Sequence, residues 1–156
     1  MIHNPDLPKP IEVLPHRPPR LWLSGVTELD PGQSGKGFWL PKPEDFDGHF
    51  EGFPVLMGIM QAESTAQLGG YVMMAQNEEP LMGLLTGLDK TRYKRIVSPG
   101  EELELTFELL IQDESGRFTG EGVSSIEGEV TCKTTILGVL MPRETAMGKA
   151  GGGEKS

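Results

Sequence analysis

Cysteine is nearly absent: Cys132 stands alone among 156 residues, so no disulfide can form within the chain, and the thiol is expected to be buried and unreactive. Basic charge is scarce too. Lys and Arg total 14 against 23 Asp and Glu, a formal net charge of −9, whereas a duplex binder needs a basic footprint to displace counterions from phosphate. Nucleic acid is excluded as a partner. No long apolar run exists. The first twenty residues hold Pro5, Pro8, Pro10, Pro15, Pro18 and Pro19, so neither a signal peptide nor a membrane span is expected there, and the cytoplasm is the expected compartment. With 37% hydrophobic and 24% charged residues, the composition is that of a globular protein, and a chain of this length makes one domain that buries roughly 70% of its unfolded surface.

The element order follows from periodicity and breakers. Residues 1–20 are too rich in proline to fold by themselves and should lie extended over the domain. Leu21–Leu29 and Gly37–Leu40 read as two strands around the Asp30-Pro31-Gly32 turn signal. From Met57 to Gln76 there is no proline, and apolar residues occur on every face, which predicts a buried helix. Gly69 and Gly70 inside it cost helix propensity and imply close approach by another backbone. Leu103, Leu105, Phe107, Leu109 and Ile111 alternate with Glu102, Glu104, Thr106 and Glu108, the period of a sheet with one dry face. Phe118–Ser124 and Val130–Leu140, around Glu127-Gly128, complete an antiparallel meander. One helix is available to cover the dry face, so the expected architecture is α+β, an antiparallel sheet wrapped around a single central helix over residues 21–141. Residues 142–156, ending in a glycine run and polar side chains, are expected to be a disordered tail.

Gly48-His49-Phe50, followed by Gly52, Pro54, Gly58, Glu63 and Gln67, puts one histidine in a turn and one carboxylate in the apolar helix after it. That is a base and an acid without a nucleophile. This segment resembles the active-site pattern of the β-hydroxyacyl-[acyl carrier protein] dehydratases, with Glu51 and Met57 where that family usually has proline, which loosens the turn before Gly58, and Ser64 where it often has alanine. Leu14-Pro15-His16-Arg17, Gly87-Leu88-Asp89-Lys90, Arg92-Tyr93 and Val97-Ser98-Pro99-Gly100 extend the resemblance over most of residues 14–110. It implies the hot-dog fold. It also implies a homodimer whose two active sites each take the histidine from one chain and the glutamate from the other, with a trimer of such dimers as the larger assembly.

For elimination of water from a β-hydroxyacyl thioester, His49 suits the base, since neutral imidazole titrates near working pH. Glu63 suits the acid, because a carboxyl on an apolar helix loses solvation, which favours its proton-bearing form. Gly58, in the first helical turn, offers an amide without an internal partner to the charge developing on the thioester oxygen. The resemblance assigns these same roles, with Gln67 fixing the Glu63 carboxyl. It implies no metal and no cofactor other than the phosphopantetheine arm of the acyl carrier protein that brings the substrate. Asp45 and Asp47 precede His49, yet no second spaced histidine completes a metal site. Lys90, Arg92, Lys94 and Arg95 form a positive stripe on an acidic protein, either a solvated strand edge or the dock for an acidic carrier. Glutamate at 63 resembles the branch that dehydrates without isomerising. Two rivals stand beside this reading: a hot-dog acyl thioesterase, and a carrier-binding paralogue without activity. Fatty-acid, polyketide and specialised lipid synthesis all remain open as pathways.

Overall fold

Six strands, all antiparallel to their neighbours, form one sheet in the order β1-β2-β4-β5-β6-β3. They are β1 (Gly25–Asp30), β2 (Ser34–Trp39), β3 (Leu81–Tyr93), β4 (Leu103–Gln112), β5 (Arg117–Ile126) and β6 (Glu129–Pro142). The computed structural model describes residues 1–151. One long helix, α2 (Gly58–Met74), crosses the sheet and touches every strand. This is the hot-dog arrangement that the hydrophobic pattern calls for.

The dry face forms as the alternation requires. Leu103, Leu105 and Phe107 of β4 are buried and meet Leu68, Tyr71 and Val72 of α2 in one core. The alternation then fails at a register shift between Leu109 and Ile111, and Ile111 is 69% exposed. Gly69 admits the Phe107 ring, whose nearest atom would lie 2.7 Å from an added Cβ, and Gly70 faces Leu14 and Met74. The close neighbours are therefore side chains of the same chain rather than another backbone. Buried hydroxyls within α2 are satisfied locally, with Ser64 Oγ donating to the Gln61 carbonyl and Thr65 Oγ1 to that of Ala62.

Three expectations need correction. The first strand does not start at Leu21: the amides of Trp22 and Leu23 donate to the side chain of Gln67 instead of to a neighbouring strand. The N-terminal segment lies over the domain as expected, but includes one helical turn, α1 (Pro10–Val13), and is strapped down by Tyr71 Oη donating to the Pro8 carbonyl at 2.6 Å. The third concerns the tail. Arg143–Gly151 is a helix, α3, which follows β6 directly, docks through buried Ala146 and is tied to the start of β3 by the Arg143 amide on the Pro80 carbonyl. Its polar sequence, with few apolar residues to set a period, concealed it. Residues 152–156 of the expected tail lie outside the described residues.

The two edges of the sheet are finished differently. Beside β1, the Asn4 amide donates to the Val26 carbonyl and the Val26 amide to His3 Nδ1, so the N-terminal segment covers that edge. β3 pairs only with β6 among the described residues, and its first half, Leu81 to Leu88, carries no charge. An apolar strand edge left unpaired is a template for another strand.

Candidate active site

His49 stands on a loop that closes on itself. Its carbonyl accepts from the Val55 amide at 2.7 Å, and its Nδ1 lies 2.8 Å from the Val55 carbonyl. A carbonyl can only accept, so Nδ1 carries the proton and Nε2 keeps its lone pair. Phe50 and Phe53 bond to each other through their backbones, and the Phe50 ring stacks on the imidazole with centroids 4.1 Å apart. Gly48 and Gly52 have φ of 78° and 71°, a region that side-chain-bearing residues avoid, which is why glycine flanks the histidine. Leu56 continues the loop by donating to the Val97 carbonyl at 3.0 Å, fixing it beside the chain that leaves β3.

Met57 then caps α2 with φ −59°, the value a proline ring would impose. The turn before Gly58 thus keeps the geometry of the family's proline without the ring. Gly58 is the first helical residue, and no side chain caps the helix start. An added Cβ there would fall 2.8 Å from the Tyr93 ring, so only glycine allows the tyrosine to lie against it. His49, Gly58 and Tyr93 line one open cavity of about 650 Å³ together with Val55, Ile59, Gln61 and Ile96. Burial pushes the Tyr93 hydroxyl pKa upward, with the nearby Cys132 thiol adding to it. Cys132 itself is buried, and burial raises its thiol to about 11. It is the inert core thiol expected.

Glu63 lies elsewhere on α2, outside the lining of that cavity. Gln67 Nε2 donates to Glu63 Oε1 at 3.2 Å and to the Arg20 carbonyl at 2.8 Å, while Gln67 Oε1 accepts from the Trp22 and Leu23 amides. The expected clamp on the carboxyl is there, and it is anchored to the N-terminal segment. His16 Nε2 also approaches Glu63 Oε1, at 3.6 Å. The Glu63 side chain is 30% exposed, more open than an apolar helix suggests. Within one chain, therefore, His49 and Gly58, the expected base and oxyanion donor, share a cavity, and Glu63, the expected acid, does not join them.

The positive stripe divides. Lys90, Arg92 and Lys94 are exposed and form no ion pair among the described residues. Arg95 is held by two carboxylates, Glu101 at 2.8 Å and Glu129 at 3.1 Å, and its hydrogen bond to Glu101 raises its pKa. Lys94 and Arg95 also border the His49 cavity. No cluster of metal-ligating side chains occurs among the described residues, and no helix of theirs is long and apolar enough to cross a membrane. Gln61 and Tyr93 are polar cavity residues that sequence reasoning did not single out for the site. A glutamine three residues after Gly58, on the same helical face, was the signal for the first.

Known proteins resemble this chain in sequence and in fold. Residues 40–132 match a family model described as ApeI-like, the ApeI dehydratases. The chain is 34% identical over 133 residues to the 3-hydroxyacyl-[acyl-carrier-protein] dehydratase FabZ of Bacillus subtilis strain 168, covering 83% of this chain and 93% of that protein. It is 30% identical over 138 residues to FabZ of Anoxybacillus flavithermus, covering 86% and 96%. Among solved structures, the dehydratase heterocomplex ApeI:P from Xenorhabdus doucetiae superposes with a TM-score of 0.69 at 20% identity, over 92% of this chain and 97% of that one. The fluoroacetyl-CoA thioesterase FlK superposes with a TM-score of 0.66 at 14% identity, over 83% and 100%. Both structural likenesses speak for the fold alone.

Proposed function

The chain belongs to the ApeI-like and FabZ family of dehydratases and is a hydro-lyase, and from that premise we propose that it converts (3R)-hydroxyacyl-[acyl carrier protein] to the trans-2-enoyl product with His49 as base and Glu63 as acid. His49 Nε2 takes the C2 proton while the Gly58 amide receives the charge developing on the thioester oxygen. Protonated Glu63 gives its proton to the C3 hydroxyl, which leaves as water. The proton gained by His49 returns to Glu63 before the next turnover, so nothing is consumed. Every step is a proton transfer or a bond cleavage within the substrate, and the scheme calls on no cofactor beyond the phosphopantetheine arm. The observation that carries it is the 2.8 Å bond from His49 Nδ1 to the Val55 carbonyl, which in the neutral ring leaves Nε2 with its lone pair on a residue that shares a cavity with Gly58.

Glu63 is supplied by the second chain of a homodimer. Two features support this: Glu63 is missing from the lining of the His49 cavity, and the β3 edge is uncharged and unpaired along Leu81 to Leu88. The acidic carrier docks on Lys90, Arg92 and Lys94, where opposite local potential steers encounter although both net charges are negative. Arg95, already matched by Glu101 and Glu129, holds the approach to the cavity in shape. The pathway is fatty-acid, polyketide or specialised lipid synthesis, in the cytoplasm.

The test is mass spectrometry of a panel of 3-hydroxyacyl-carriers after incubation with the protein. Loss of one water with the thioester intact is the expected result. Free carrier thiol would mean a thioesterase, and carrier binding without any product a paralogue that only binds.

A further inference from the structure

Gln61 brings an amide into the His49 cavity, and the dehydration scheme gives it no task. It comes three residues after Gly58 on α2, so it shares that face of the helix and lies roughly 4.5 Å further along the axis. The residue is only 2% exposed, yet it lines the cavity beside His49 and Gly58. Its oxygen is occupied: Ser124 Oγ donates to Gln61 Oε1 at 3.2 Å, and Ser124 Oγ sits 2.7 Å from Thr131 Oγ1. Since the Ser124 proton is used on Gln61, Thr131 must donate to Ser124, and the hydroxyl chain runs in one sense only. Both hydroxyls are fully buried. This tether engages the amide oxygen and leaves Nε2, which makes no hydrogen bond among the described residues, as the unengaged polar end of a side chain that lines the cavity. The rest of the lining is largely apolar, with Val55, Leu56, Met57, Ile59 and Ile96, and His49, Tyr93, Lys94 and Arg95 are its other polar side chains.

A ligand that fills this cavity displaces water from Nε2. A plain alkyl chain then leaves a buried donor unmet, whereas a chain with an oxygen at that depth satisfies it. The Gly58 amide is committed to the thioester oxygen and Glu63 to the C3 hydroxyl, so the acceptor left for Gln61 lies further along the acyl chain. We propose that Gln61 is a specificity-determining residue that donates through Nε2 to an oxygen carried beyond C3, so that oxygenated acyl chains are preferred to plain alkyl chains of equal length. The inference rests on the reading that this cavity holds the acyl thioester.

Two 3-hydroxyacyl pantetheine thioesters of equal length, one with a carbonyl at C5 and one without, provide the test. Kd by calorimetry and kcat/KM are both measured for the wild type, Gln61→Met and Ser124→Ala. The wild type should favour the C5 carbonyl by about tenfold or more in both quantities. Gln61→Met should bring the ratio close to one, and Ser124→Ala, which unties the amide, should lower it part of the way. Equal binding of the two compounds by the wild type would overturn the proposal whatever the variants do. So would a Gln61→Met variant that weakens both alike. Discriminating binding with no water lost from either compound would instead sink the dehydration scheme and leave the role of Gln61 standing.

Discussion

The proposed base and the proposed acid of this enzyme are held in different ways. His49 is fixed by its own loop, through two hydrogen bonds to Val55, and opens onto a cavity bordered by the residues that follow β3, the exposed edge of the sheet. Glu63 is held by Gln67, one turn along the same helix, and Gln67 is in turn anchored from outside that helix by the backbone of Arg20, Trp22 and Leu23. Each half is complete in itself and neither contains the other. That division within one chain is what motivates the proposal that two copies join to complete each site.

The comparison breaks hardest when either half loses its reacting group. His49→Ala and Glu63→Gln should each lower dehydration at least about a hundredfold while circular dichroism and melting temperature stay close to wild type. Near-normal turnover in a folded variant would remove that residue from the scheme.

The manner of fixing is tested next. Gln67→Leu strips the Trp22 and Leu23 amides of their acceptor, so it should cost about 2 kcal/mol of stability in denaturant titration and lower kcat roughly tenfold, with KM little changed. No such anchor serves His49. A stable Gln67→Leu variant with full activity would show that the clamp is incidental.

A smaller effect is expected at the approach to the base half. Reversing Lys90 and Arg92 to glutamate should raise KM several-fold for carrier-bound substrate at low salt and leave a pantetheine thioester unaffected, with the difference fading as salt screens the surface. Equal changes for both substrates would reduce the stripe to a solvated strand edge. The smallest effect concerns Glu101, whose pKa is lowered chiefly by the Arg95 side chain and then by the Ser98 amide. A depressed carboxyl stabilises the fold above its ordinary pKa, and that gain is lost as pH falls through the depressed value. The pair is solvent-exposed enough for screening to keep that gain small. The melting temperatures of wild type and Glu101→Gln should accordingly differ at neutral pH and converge in acid.

Much of this could be read in the sequence where one local pattern decides the structure. The period of two along Leu103, Leu105 and Phe107 fixed β4, and the all-round apolarity after Met57 fixed α2. The turn that carries His49 and the helix start at Gly58 could be read because glycine spacing and a helix start are local features. What escaped depended on partners far along the chain. Leu21–Ser24 has the composition of a strand, but Gln67 captures its amides. Arg95 looks like its neighbours in the basic stripe until Glu101 and Glu129 fold against it. Gln61 looks like a polar interruption of a helix until Ser124 and Thr131 are found beneath it. α3 has too few apolar residues for a periodic signal and owes its place to Ala146 and the Pro80 carbonyl.

Co-expression of the His49→Ala and Glu63→Gln chains tests the divided site most directly. Random pairing of equal amounts makes half of the dimers mixed. In each mixed dimer one site carries both lesions and the other carries none, so about a quarter of wild-type dehydration should return from two inactive parents. Native mass spectrometry establishes that the mixed dimers are present. Recovery near that level is the predicted result; mixed dimers proven present but as inactive as their parents would contradict the account, because a site contained in one chain regains nothing by exchange.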